Sequence, residues 1–329
     1  MKAVVVEKFA PIDQALYADI ADPVAGPGEV LVDVGASESN YPDLLVMEGN
    51  YQITPPLPFS PGKAAAGTVA ALGEGVTGFA VGDKVAVQVE YGAYAQKLVA
   101  RADAAFPMPA DMPFDVGAAL GLVYQTSYFA LVERAHFAAG ETVLVLGASG
   151  GIGSAAVQLA KALGAPTVIG AVLGSDNADY ARKAGCDHVV DLSVGDIRET
   201  LRAEVFAATG GKGVDVVIDP VGGAATAAAM RAIAWCGRLV VIGFASGDIP
   251  VIKGNYLLVK NIGVSGLQWS DYRERQPEKV QAAQERIFAL WEEGKLAPMI
   301  SKSLPLDRFR EALEDLRHGR AQGKIILIP

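Results

Sequence analysis

Soft metal ligands and cross-linking residues are scarce in this chain. Its 329 residues include two cysteines, Cys186 and Cys236, and three histidines, His136, His188 and His318. The cysteine spacing suits neither a disulfide framework nor a metal cluster, and both thiols are expected to be small buried hydrophobes. Long basic runs are absent and the formal net charge is −9, so neither nucleic acid nor an anionic membrane is an expected partner. The most apolar stretch, residues 143–173, is interrupted by Gln158, Lys161, Pro166 and several glycines. It therefore reads as a buried strand–helix–strand and not as a membrane span. The opening MKAVVVEKFAPIDQ has no apolar core of signal-peptide length, and a cytoplasmic location is expected.

Apolar residues, by contrast, are plentiful: 51% of the chain is hydrophobic, enough for about two domains with separate cores. Over the first 110 residues, strand-like runs such as KAVVVE, EVLVDVGA, AAAGTVAAL and DKVAVQV are separated by Gly/Pro turns. A helical pattern follows in FDVGAALGLVYQTSYFALVERAHF, with Asp115 as the expected N-cap. From residue 142 short apolar strands alternate with helices, among them SDNADYARKAG and ATAAAMRAIAWCG, which predicts a parallel sheet covered on both faces. After residue 267 that rhythm stops, and the chain ends in the helix LDRFREALEDLRHG and the strand KIILIP. These patterns predict an α/β fold: a doubly wound parallel-sheet domain over 123–267, and a β-rich domain from both chain ends, 1–122 and 268–329. A cleft between two such domains is the default ligand site.

The stretch LVLGASGGIGSAAVQLAKALGA (143–164) is a strand, a glycine turn and a helix. Gly150, Gly151 and Gly153, with Ile152 between them, let backbone N–H groups approach a pyrophosphate at a helix N-terminus. An NAD-binding turn usually carries Asp or Glu at the end of the second strand. Val172 stands there in this chain, followed by Leu173, Gly174 and Ser175, which leaves room for a 2′-phosphate. Arg182 and Lys183 are candidates to reach that phosphate, or simply residues of a solvated helix face. Asp176 points the other way, toward NADH. The expected cofactor is NADPH, with NADH less favoured.

Taken together, PGEVLVDV, NYPDLLVMEGNYQ, LPFSPGKAAAGTVAALGEGVTGFAVGDKV, GASGGIGSAAVQLAKALGA, DPVGG and GKIILIP resemble the medium-chain dehydrogenase/reductases, in the zinc-free quinone oxidoreductase (zeta-crystallin-like) branch. The resemblance runs end to end. It implies a Rossmann-type domain inserted in a GroES-like substrate domain, and an edge-to-edge homodimer through KNIGVSGL (260–267). Zinc-dependent relatives carry a His-Glu pair where this chain has Lys63 and Ala64, and no cysteine or histidine precedes residue 136. The usual three-ligand zinc set is thus missing and no metal is expected. The zinc-free branch commonly keeps Glu at the position of Ala64, so this chain departs from it there.

The resemblance further implies that Asn40 and Tyr51 line the site as candidate catalytic groups, with Tyr41 and Tyr124 as further candidates. Thr126 and Phe244 lie where the family touches the nicotinamide end, Asn40 also lies against the cofactor, and Lys324 and Arg320 lie near the closing strand. Read as a strand-edge charge, Lys324 would be merely structural. The expected activity is NADPH-dependent hydride transfer to quinones or activated C=C bonds in enones and enals. One alternative is reduction of unsaturated acids or acyl thioesters; another is an NADPH-binding protein with little turnover.

Overall fold

The structure, a computed structural model, describes residues 1–329. The chain divides into two units, one of Met1–Leu122, Arg273–Glu292 and Ile300–Pro329, the other of Val123–Tyr272 and Glu293–Met299. The first unit begins with strands β1 (Lys2–Val5), β2 (Leu16–Asp19), β3 (Glu29–Glu38), β4 (Ala64–Leu72), β5 (Lys84–Gln88), β6 (Lys97–Arg101) and β7 (Ala105–Pro107). Helix α1 (Tyr41–Met47) lies between β3 and β4. The long β3 pairs antiparallel with β4 and, over Glu29–Asp33, with β6.

Helices α2 (Phe114–Ala119) and α3 (Leu122–Phe129) follow. The N-cap of α2 is Pro113, not Asp115, which lies inside the first turn and accepts the N–H of Val116. Proline suits that entry because its ring fixes φ and it has no N–H to leave unpaired.

The second unit alternates strictly: β8 (Val143–Leu146), α4 (Gly151–Ala162), β9 (Val168–Val172), α5 (Ser175–Ala184), β10 (His188–Asp191), α6 (Ile197–Ala208), β11 (Val214–Asp219), α7 (Gly223–Ala232), β12 (Ile233–Val241), α8 (Gly254–Lys260) and β13 (Gly263–Gly266). The sheet order is β10-β9-β8-β11-β12-β13, parallel throughout. Every residue of β8 and β9 is buried, as a sheet covered on both faces requires. Strand order reverses between β8 and β11, and ligands of such sheets bind at that reversal, beyond the carboxyl ends of the strands.

Two local expectations fail here. The helix expected to run to Cys236 stops at Ala232, and Cys236 is exposed with φ 62°, whereas Cys186 is buried. The cause is a register shift: β11 pairs with Ile233 at Val214, then with Arg238 at Val216. Of the residues skipped, Trp235 and Cys236 are turned outward, whereas Ala234 and Gly237 stay buried.

The chain then runs through α9 (Ser270–Arg275), α10 (Pro277–Glu292), β14 (Ile300–Pro305), α11 (Phe309–Arg317) and β15 (Lys324–Ile328). β15 lies inside the first unit's sheet, between β14 and β3. Phe309, Leu313 and Ile325 from this last segment share a core with Val4, Leu44 and Tyr94 from the first. No helix is long and apolar enough to cross a membrane.

Candidate functional site

In the first unit, polar groups are buried where β3 runs into α1. Ser37, Glu38, Ser39, Asn40 and Asp43 are all inaccessible or nearly so. Burial of that many polar atoms demands partners. Ala93, Tyr94 and the Leu122 N–H supply some of them, and Lys324 supplies three. Its ammonium lies 2.9 Å from Glu38 Oε2 and donates to the Ser39 carbonyl at 2.9 Å and Asn40 Oδ1 at 2.6 Å. The strand-edge reading of Lys324 is corrected by β15's interior place in the sheet. With two hydrogen bonds and an ion pair, Lys324 holds the carbonyl end of the Asn40 amide in place.

Asn40 is thus held by its carbonyl oxygen, while its Nδ2 is a buried donor with no hydrogen-bond partner. Asp43, three residues on, reaches back to the Asn40 N–H at 2.8 Å and accepts the Tyr94 hydroxyl at 2.7 Å. Burial pushes the Asp43 carboxyl up to about 6, against the hydrogen bonds from Tyr94 and Asn40 and the charges of Lys63 and Lys324. Burial also raises the Tyr94 phenol well above its usual value, so it stays a donor.

The sign of the resulting pH effect is fixed. The neutral carboxyl is favoured by the fold, so its contribution is present below about 3.8, the ordinary Asp value, and lost as pH rises through about 6. Asp43→Asn is expected to flatten this part of the stability profile, by on the order of 2–3 kcal/mol between pH 4 and 7. Thermal unfolding across that range, wild type against variant, checks it.

Lys63, at the mouth of β4, is buried beside Tyr51. Its ammonium donates to Glu90 Oε2 at 2.6 Å and to the Glu90 carbonyl at 3.2 Å, and stands 4.6 Å from the centroid of the Tyr51 ring. Arg273 pairs with the other Glu90 oxygen. Burial lowers the Lys63 pKa, and its acidic surroundings, the Asp43 carboxylate among them, oppose that shift. Ala64 is buried, and a point beside Gly121 lies 3.4 Å from its Cβ and 3.7 Å from Glu38 Oε1.

In the second unit, α4 starts at the reversal of strand order. Gly150 is its N-cap, no side chain caps it, and its first turn holds no acid. The N–H groups of Gly151, Ile152 and Gly153 therefore form an uncapped positive helix end. A Cβ at Gly153 would lie 2.0 Å from the Gly147 carbonyl oxygen, so only glycine lets α4 approach the end of β8. Thr126 is buried in α3, whose Ser127 hydroxyl donates to the Ile152 carbonyl at 3.2 Å. Phe244 is exposed and lies beside Gly222, just beyond β11, where a Cβ would meet its ring at 3.1 Å.

Ser175 opens α5 after Gly174, whose φ of 87° turns the chain away from β9. Arg182 does not join it: it is in the last turn of α5, about 10 Å along the axis, and pairs with Asp179 at 2.7 Å. Tyr124 is buried and donates to Gln158 at 2.7 Å, a packing role, and Tyr41 is exposed on α1. Arg320 is exposed and pairs with the buried Asp315 at 2.9 Å.

Reasoning from sequence missed the Lys324–Glu38 and Lys63–Glu90–Arg273 pairs. The Asn40–Asp43 link was also missed, although an Asn followed three residues later by an acid is the signal that could have found it.

Residues 26–110 match the family model described as alcohol dehydrogenase GroES-like domain, and residues 151–286 the one described as zinc-binding dehydrogenase. The chain is 34% identical to the quinone oxidoreductase-like protein 2 homolog of Nematostella vectensis, over 92% of this chain and 82% of the relative. A probable oxidoreductase from Mycobacterium abscessus superposes with TM-score 0.90 at 36% identity, covering 100% of this chain and 99% of that one. Escherichia coli quinone oxidoreductase complexed with NADPH superposes with TM-score 0.87 at 30% identity, over 100% of both chains. The description of the second family model implies a zinc ion, and the residues here do not fit one. No three His, Cys, Asp or Glu side chains converge, and the buried Glu38 and half-buried Glu90 carboxylates are already taken by lysine ammoniums.

Proposed function

This chain belongs to the medium-chain dehydrogenase/reductase family, in its quinone oxidoreductase branch, and is an oxidoreductase of that type; from that premise we propose that it is a zinc-independent, NADPH-dependent reductase of quinones and of activated C=C bonds in enones and enals. What supports this most is Asn40, whose buried Nδ2 hydrogens are unspent while Lys324 holds the other end of the amide.

The bound cofactor supplies the hydride, and the protein orients the partners and answers the charge that develops. The uncapped turn of Gly150, Gly151, Ile152 and Gly153 holds the pyrophosphate, and Thr126 and Phe244 flank the nicotinamide end. Val172, Gly174 and Ser175 leave space for a 2′-phosphate that an acid would repel. Ser175 marks that place; Arg182 stands too far along α5 to do so. On the acceptor side, negative charge grows on the carbonyl oxygen. Asn40 Nδ2 and the Tyr51 hydroxyl donate to it, and solvent provides the proton.

The test is NADPH and NADH oxidation against a panel of quinones, enals, enones and acrylates, before and after chelation. The expected result is a higher kcat/KM with NADPH, turnover of quinones and enones, and no change on chelation. Tyr51→Phe is expected to lower enone reduction by on the order of tenfold to a hundredfold and quinone reduction less, because a quinone spreads its own charge. Binding of NADPH with no turnover of any acceptor would favour a binding protein, and turnover of acrylates or thioesters alone would move the substrate class.

A homodimer is expected in solution. β13 is the open edge of the second unit's sheet, and the apolar residues Val251, Leu258 and Val259 are exposed on the α8 segment before it. An apolar edge of this kind calls for a cover. Sedimentation at micromolar concentration is expected to give twice the 34.2 kDa chain mass.

A further inference from the structure

A lysine buried as deeply as Lys63, whose side chain is 4% exposed, needs a reason. Burial of a charge is costly, and a packed apolar side chain of similar volume would stabilise the fold at least as well. What the ammonium offers that methionine would not is a fixed positive charge. That charge is anchored from below: Glu90 takes it by both a carboxylate oxygen and its backbone carbonyl, and Arg273 holds the second carboxylate oxygen of Glu90. The face left to it is the Tyr51 ring, 4.6 Å away. The Tyr51 hydroxyl, in contrast, is tied to no protein group. One end of the tyrosine is therefore held and the other is free for a ligand.

We propose that Lys63 is a positioning residue for Tyr51, fixing the ring so that its hydroxyl meets the acceptor oxygen and countering the negative charge that grows there. The inference rests on the reduction proposed above and assigns this chain's substrates by charge: acceptors whose oxygen becomes anionic depend on Lys63, whereas uncharged ring contacts do not. Lys63 does not touch the acceptor itself, because Tyr51 and Glu90 enclose its ammonium.

A double-mutant cycle over Tyr51→Phe and Lys63→Met tests this, with Lys63→Gln as a second neutral variant that keeps hydrogen bonds to Glu90, and Lys63→Arg as the rescue. Two readouts are taken: kcat and KM for trans-cinnamaldehyde, and binding of para-nitrophenolate, an anionic oxygen on a ring, followed by its visible absorption. Lys63→Met and Lys63→Gln are expected to lower kcat and weaken phenolate binding by on the order of tenfold, while Lys63→Arg recovers most of both. The KM for NADPH is expected to stay within about twofold, since the coupling concerns one contact pair. With Phe at position 51, removing the lysine charge is expected to cost nothing further. Additive losses, or phenolate binding unchanged in both neutral variants, would overturn the proposal. Should the wild type reduce no acceptor, the reductase reading fails, and the phenolate cycle still decides the role of Lys63.

Discussion

Lys324→Met is expected to cost about 3–5 kcal/mol of stability, the usual penalty for removing one partner of a buried ion pair. Glu38 is fully buried, and one of its oxygens faces only this ammonium while the other accepts the Leu122 N–H. Loss of the lysine leaves a carboxylate with no counter-charge and frees both the Ser39 carbonyl and the Asn40 amide oxygen. Denaturant unfolding measures the stability term. The paired change Lys324→Met with Glu38→Gln is expected to recover most of it, because no buried charge is then left uncompensated. Activity should not recover in parallel. Asn40 loses the contact that holds its Nδ2 in place, and acceptor reduction by the folded double variant is expected to remain lower by on the order of tenfold or more. A Lys324→Met protein within about 0.5 kcal/mol of wild type, a range typical of surface changes, would show that the pair does not hold this corner of the fold.

The second large effect is expected at the glycine turn, where two neighbouring glycines should behave differently. A Cβ at Gly153 meets Gly147 O at 2.0 Å and Ala148 Cα at 2.7 Å, both backbone atoms that cannot swing aside. At Gly150 the nearest atom is the same oxygen at 3.4 Å, an ordinary contact. Gly153→Ala is therefore expected to cost about 1–3 kcal/mol or more by overpacking and to weaken NADPH binding at least a hundredfold, since α4 must retreat from β8. Gly150→Ala is expected to cost about 1 kcal/mol or less, the scale of an N-cap change, while its methyl group crowds the approach of the pyrophosphate. Thermal unfolding and titration of NADPH fluorescence separate the two effects. Equal NADPH affinity in Gly153→Ala and wild type would remove this turn from the cofactor site.

Local pattern determined a good deal of this protein. The switch from alternating strands to strand–helix repeats at residue 142, the glycine turn after β8 and the absence of an acid after β9 were legible in the sequence. Each depends on neighbours within a few residues: strand period, helix period, or the small size of glycine. The link between Asn40 and Asp43 is equally local, since one helical turn sets their distance, but the pair was not read from the sequence.

Only the tertiary structure decided which charges are buried, and against what. Lys324 meets Asn40 across 284 residues because β15 is inserted next to β3, and no spacing rule predicts that neighbour. Lys63 marks a departure from the zinc-dependent pattern, but its partners come from the β5–β6 connection and from α9, 27 and 183 residues apart along the chain as counted between Lys63 and Glu90, and between Glu90 and Arg273. Arg182 shows the converse: close in sequence to Ser175, it is carried along α5 by the rise of the helix and paired with Asp179. Cys236 was turned outward by a register shift between two strands, which is a property of their pairing and of neither alone. A long-range ion pair is stable only where the fold removes both groups from water together, so its existence depends on strand order, and strand order is settled by packing of the whole sheet.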